Sequence, residues 1–121
     1  MNPKLIKSFT AASNIAPYRI VAAGVGGVAT AADAAAKFIG FSDNVGATSG
    51  QTVDLTQSGL AEVTAGGPVG FGDPLMADAE GRAIVAAKSE GLTVYVVGIA
   101  QADAAVGDVI PVLVAPSVIF G

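Results

Sequence analysis

The spacing of turn residues constrains this chain more than any other feature. From Pro17 onward, Val-, Ile- and Leu-rich runs of about four to six residues are interrupted roughly every 8 to 12 residues by Gly, Gly-Gly, Gly-Asp or Asp-Pro. Glycine takes the positive φ of a tight turn and proline cannot donate to a ladder, so long helices and long crossovers do not survive such spacing. The pattern predicts an all-β fold, a small barrel or sandwich of short strands. Candidate strands span 18–23, 37–42, 52–57, 60–64, 74–78, 83–88, 93–101, 108–115 and 118–120. Two of them, TVYVVGI from Thr93 and DVIPVLV from Asp108, carry the β-branched density of buried strands. Pro111 removes a ladder donor from the second, which places it at an edge or a bulge. At most one short helix is expected, over the Ala-rich Thr30–Lys37, and eight residues are marginal without tertiary support.

Residues 1–16 read differently. They show neither a 3.6 nor a 2.0 period, and they hold both Lys4 and Lys7. An extended N-terminal arm is expected there, leaving 17–121 as a single β domain. Phe9 and Ile15 lie where no local period would bury them and are candidate anchors into a neighbouring subunit. With Lys4, Leu5, Ile6, Lys7 and Tyr18 they make up the candidate partner contacts.

An internal repeat emerges when Pro and Gly positions are lined up. The strings around Gly40, then Gly50-Gln-Thr-Val53-Asp-Leu55, then Ser58-Gly-Leu60, parallel those around Gly98, then Gly107-Asp-Val109-Ile-Pro-Val112, then Ser117-Val-Ile119. Upstream, Pro17 falls opposite Pro74 and Val28 opposite Ile84. The expectation is a pseudo-duplicated β structure whose halves complete one another.

Composition then narrows the chemistry. The chain has no Cys and no His, which excludes disulfides, thiolate nucleophiles and the usual general base. Ser58, Ser89 and Ser117 have no evident base beside them, and no nucleophile elbow is present. We expect neither an enzyme nor a cofactor. Six scattered cations against a net charge of −4 argue against nucleic acid. No apolar run is long enough to cross a bilayer and no apolar segment follows Lys4 and Lys7, so neither a membrane partner nor a signal peptide is expected, and synthesis in a cytoplasm is. Charged residues make up 13% of the chain, against about 25% in ordinary soluble domains, which points to surface covered by copies or by a partner.

Two motifs invite stronger readings. Gly24-Val-Gly26-Gly27-Val-Ala29 follows a candidate strand, and Asp43 stands 19 residues beyond Gly24, in the order a dinucleotide-binding unit requires. No second helical pattern follows, so a Gly-rich turn between strands is the favoured reading and a small nucleotide-binding module the lesser alternative. Asp73, Asp78 and Glu80 supply oxygens a hard cation would accept, but their spacing is not that of an EF-hand, and Asx-turn chemistry accounts for them, so no metal is assigned.

The stretch Gly72-Asp-Pro-Leu-Met-Ala-Asp-Ala-Glu-Gly-Arg-Ala-Ile-Val-Ala, then Val97-Gly-Ile-Ala, then Ala105-Val-Gly-Asp-Val-Ile-Pro-Val-Leu-Val, resembles tailed-phage capsid decoration (cement) proteins, and in part the lambda-type head decoration protein. The resemblance covers about residues 67–117. It implies a β-rich homotrimer on the outer surface of an icosahedral head, stabilising contacts between major capsid subunits, with the arm as the binding segment. Another virion subunit, of a tail tube or a fibre base, is the alternative in the same class.

Overall fold

The computed structural model describes residues 5–33, 37–86 and 93–120. Ten strands run in order β1 Leu5–Thr10, β2 Ile20–Gly24, β3 Gly27–Thr30, β4 Phe38–Ser42, β5 Thr52–Ser58, β6 Leu60–Thr64, β7 Pro74–Ala77, β8 Ala83–Val85, β9 Thr93–Ala100 and β10 Val109–Phe120. They form two five-stranded antiparallel sheets, ordered β1-β5-β4-β2-β3 and β6-β10-β9-β7-β8. The all-β expectation holds. The barrel does not form, because the sheets stay open with β1 and β3 at the edges of one and β6 and β8 at the edges of the other.

The second order is the first with five added to every number, so the chain is two copies of one topology joined at Gly59. The hydrogen bonds repeat as well. Gly50 N–H donates to Ala11 O at 2.7 Å, and Gly107 N–H donates to Ala65 O at 2.8 Å. Ile15 and Ala47 exchange both bonds, and so do Val69 and Ala104. Gly40 and Gly98 are equivalent close approaches: a Cβ on Gly40 would stand 2.9 Å from Leu55 Cβ, and one on Gly98 would stand 2.6 Å from Val112 Cγ1 and collide with the Leu113 carbonyl. Two of the expected equivalences shift. Ile20 pairs with Phe41 as Pro74 pairs with Ile99, so Ile20, not Pro17, is the counterpart of Pro74. Likewise Val28 bridges Ala11 as Ala83 bridges Ala65, which makes Ala83, not Ile84, the partner of Val28.

Each half has its own small core on the same face of its sheet. In the first, Phe9, Ala11, Ile15, Val21, Val28, Ile39, Ala47, Val53 and Leu55 pack together. Their counterparts Val63, Ala65, Val69, Leu75, Ala83, Val97, Ala104, Ile110 and Val112 do the same in the second. Alternation along β5 explains the division: Val53 and Leu55 point to this face, while Thr52 and Asp54 point away and are exposed. The opposite face of the first sheet, with Ile20, Ala22 and Phe41, joins the second core and ties the halves into one body. Ile20 N–H donates to Gly81 O across the seam at 2.7 Å.

Residues 5–16, which fall in the expected extended arm, are built into the first half. Leu5–Thr10 is the edge strand β1, laddered to β5 from Leu5 opposite Ser58 to Thr10 opposite Thr52, and Ala11 and Ile15 are core. β1 is the counterpart of β6, and its mixed sequence LIKSFT hid it because an edge strand covers little and tolerates polar residues on both faces. The expected helix is also absent: Thr30 ends β3, Ala31 donates to Ile20 O, and no helix occurs among the described residues, with 34–36 of that segment outside them. The dinucleotide reading fails on geometry. Gly24 pairs directly with Gly27, so the glycine string closes the β2–β3 hairpin instead of opening a helix, and Asp43 lies beyond the end of β4. Asp78 behaves as turn chemistry requires, its Oδ1 accepting the Glu80 and Arg82 N–H groups, each at 2.8 Å.

Pro111 sits in neither an edge strand nor a bulge. Its carbonyl accepts Gln101 N–H and the β9 ladder begins only at Val112, so its missing donor falls where that ladder has run out. The two strands expected at 108–115 and 118–120 are one strand, β10, with a bulge between Val114 and Ser117.

Ile15→Ala is expected to cost about 2–5 kcal/mol by urea unfolding, as for other buried Ile truncations, although the residue lies in a stretch without sequence periodicity. Gly98→Ala, which must displace the β10 backbone, is expected to cost about 1–3 kcal/mol in the same measurement.

Candidate functional site

Of the seven candidate partner contacts, the structure groups three on one edge. Leu5 and Ile6 are 50% and 53% exposed on β1, and Lys7 follows them, also exposed. Lys4 lies outside the described residues. Ile15 is buried in the first core at 3% exposure, and Phe9, partly buried on β1, packs against the same core. Tyr18 stands apart from all of them, in the loop between the core turn and β2.

Tyr18 opens onto a cavity of about 190 Å³ at the seam between the halves, which it shares with Ser42, Asp43, Asn44, Thr56, Ala61 and Glu62. Four stretches of chain meet there: the loop before β2, the end of β4 with its following turn, β5, and β6 from the second half. The Tyr18 N–H donates to Asp43 O at 3.1 Å and its carbonyl accepts Thr64 N–H at 2.9 Å. These two bonds hold it at φ 57°, the left-handed region, where it is alone among the described non-glycine residues. Such a conformation costs roughly 1–3 kcal/mol unless its surroundings impose it. Ser42 braces the loop from below, its hydroxyl donating to Ala16 O at 2.8 Å and accepting Arg19 N–H at 2.8 Å. Asp43 Oδ1 accepts Val45 N–H at 2.9 Å, which fixes the turn, and Gly46 packs so closely that a Cβ there would collide with the Ile15 carbonyl.

The duplicate half shows what this site adds to the scaffold. The counterpart of Tyr18 is Gly72, two residues before Pro74 as Tyr18 is two before Ile20; it lies at φ 88°, and its N–H donates to Ala100 O at 2.8 Å, one residue earlier than the carbonyl Tyr18 uses. Ala100 donates to Asp73 O as Ser42 donates to Arg19 O, so Ala100 stands for Ser42. Leu113 stands for Thr56, since each carbonyl faces the equivalent glycine. The turn Asp43-Asn44-Val45-Gly46 is replaced by the shorter Gln101-Ala102-Asp103. Core positions keep their apolar character across the duplication, whereas positions lining the cavity are polar in the first half and mostly apolar or small in the second.

Thr56 completes the picture. It is 7% exposed, and no residue among those described hydrogen-bonds its hydroxyl. No sealed polar side-chain atom among the described residues lacks a partner, so this hydroxyl keeps its access through the cavity it lines. Ser42, Asn44, Thr56 and Glu62 had no signal in the sequence, because they come from separate strands and carry no shared spacing.

Neither a protein-family model nor a curated protein matches the chain. A solved structure does: the head fiber gp8.5 N base of bacteriophage phi29 matches with a TM-score of 0.65 at 19% identity, over 93% of this chain and 95% of that one. At that identity the likeness is one of fold.

Tyr18→Gly is expected to leave Tm within about 5 °C, because relief of the left-handed strain offsets the extra freedom of glycine in the unfolded chain. Gly46→Ala, one turn away, is expected to lower Tm well beyond that range, since its Cβ has only backbone to displace. Differential scanning calorimetry of both variants checks the contrast.

Proposed function

We propose that this chain is a structural protein of a phage virion, seated on the outer surface of the head as a homotrimer bound to the major capsid protein. The observation that carries this reading is the shared fold over nearly the whole of both chains with a protein described as the base of a phage head fiber. The decoration-type grammar of residues 67–117 supports the same placement independently of that comparison. The absence of His and Cys, the low charge and the exposed Leu5, Ile6 and Lys7 on an open sheet edge suit a protein that acts by contact. Trimeric engagement multiplies weak contacts through effective concentration, so each copy needs only a small footprint.

Within this reading the role is that of a cement protein, which holds capsid subunits together. A fibre-base role is the second reading, favoured by what the structural neighbour is. Both are tested with heads of the parent phage stripped of the chain. Purified protein is expected to co-sediment with these heads and to raise the temperature at which they release DNA. Co-sedimentation without thermal protection selects the fibre base, and no co-sedimentation overturns the head-surface proposal. The double variant Ile6→Ser, Lys7→Glu is expected to remain folded and to lower head binding at least tenfold.

A further inference from the structure

We propose that the cavity between the halves is a socket for a single cationic side chain, a lysine or arginine presented by the protein partner. Its lining carries two carboxylates, Asp43 and Glu62, and no cationic side chain among the described residues. Tyr18 adds an aromatic group of the kind that attracts ammonium and guanidinium ions. The Thr56 hydroxyl, on a residue 7% exposed, has no hydrogen-bond partner among the described residues and keeps its access through the cavity, where it is a further acceptor for an N–H group. The size agrees: 190 Å³ lies below the roughly 300–1,000 Å³ of drug-sized ligand sites.

The duplication shows that Tyr18, Ser42 and Thr56 are not required by the fold. The second half builds the same turn on Gly72, the same strand end on Ala100 and the same ladder position on Leu113. In the first half a tyrosine is held at φ 57° where glycine serves its twin, and a threonine lines the cavity where its twin is leucine. Neither departure is needed for the fold, and both converge on one cavity. A cation would neutralise the carboxylates and use the hydroxyl together.

The identity of the partner as capsid protein rests on the function proposed above; the chemistry of the socket does not. The experiment is a ¹H–¹⁵N chemical-shift titration of the intact protein with N-acetyl-arginine amide and N-acetyl-lysine amide, against N-acetyl-citrulline amide and methyl glycosides as neutral probes. A saturable response is expected at Tyr18, Asp43, Asn44, Thr56 and Glu62 with one or both cations. It should weaken at least tenfold in Asp43→Asn, Glu62→Gln and in Tyr18→Gly, with Thr56→Val reducing it less. No saturable response to either cation, an equal response to citrulline, or saturation by a glycoside instead would each overturn the socket. Head co-sedimentation of Glu62→Gln separates the two readings. Wild-type binding by that variant, with the cation response lost, removes the capsid partner from the proposal, and a chain that binds cations but never binds heads defeats the virion reading alone.

Discussion

A five-stranded sheet that is apolar on both faces cannot expose either to water, and the first sheet solves this twice over. One face is closed by its own chain, through the turns carrying Ala11, Ile15 and Ala47. The other is closed by the second half, where Ile20, Ala22 and Phe41 enter the core built around Leu75, Val97 and Val112. This seam turns two small repeats into one cooperative unit. It also creates the cavity, because the seam is where the end of β4, the strand β5 and the first strand of the next repeat leave space between unlike elements.

Strand content was legible in the turn residues. Gly, Pro and Asp marked most boundaries correctly because each imposes a local backbone state that packing does not override. What escaped was β1 and β3. LIKSFT puts Lys7 on the same side as Phe9, so no alternation survives, and GVAT is too short and too rich in small residues to show a period. Both lie at the edges of the first sheet, where one neighbour supplies the ladder and burial asks little of the side chains. The duplication was visible in Gly40, Gly98, Gly50 and Gly107, whose roles are steric, and blurred at Pro17, which resembles Pro74 in type but not in place.

Of the candidate site, the sequence singled out Asp43, through the glycine string before it, and Tyr18. The significance of Tyr18 depends on a dihedral angle and on a glycine 54 positions later, neither of which one stretch of sequence displays. Thr56 and Glu62 are ordinary strand residues until β5 and β6 are set side by side. The residues the halves share are those that build the scaffold, whereas Tyr18, Ser42 and Thr56 have no like residue in the second half.

The counterpart of Ile20 is Pro74, and this bears on how many units such a chain can stack. Ile20 offers the N–H that receives the Gly81 carbonyl and so docks the second half on the first. Pro74 offers none, and it stands exposed at the matching corner of the second sheet. A third unit arriving in the same way would bring a carbonyl to a corner that has no N–H to meet it, so the hydrogen bond that joins the halves could not be repeated there.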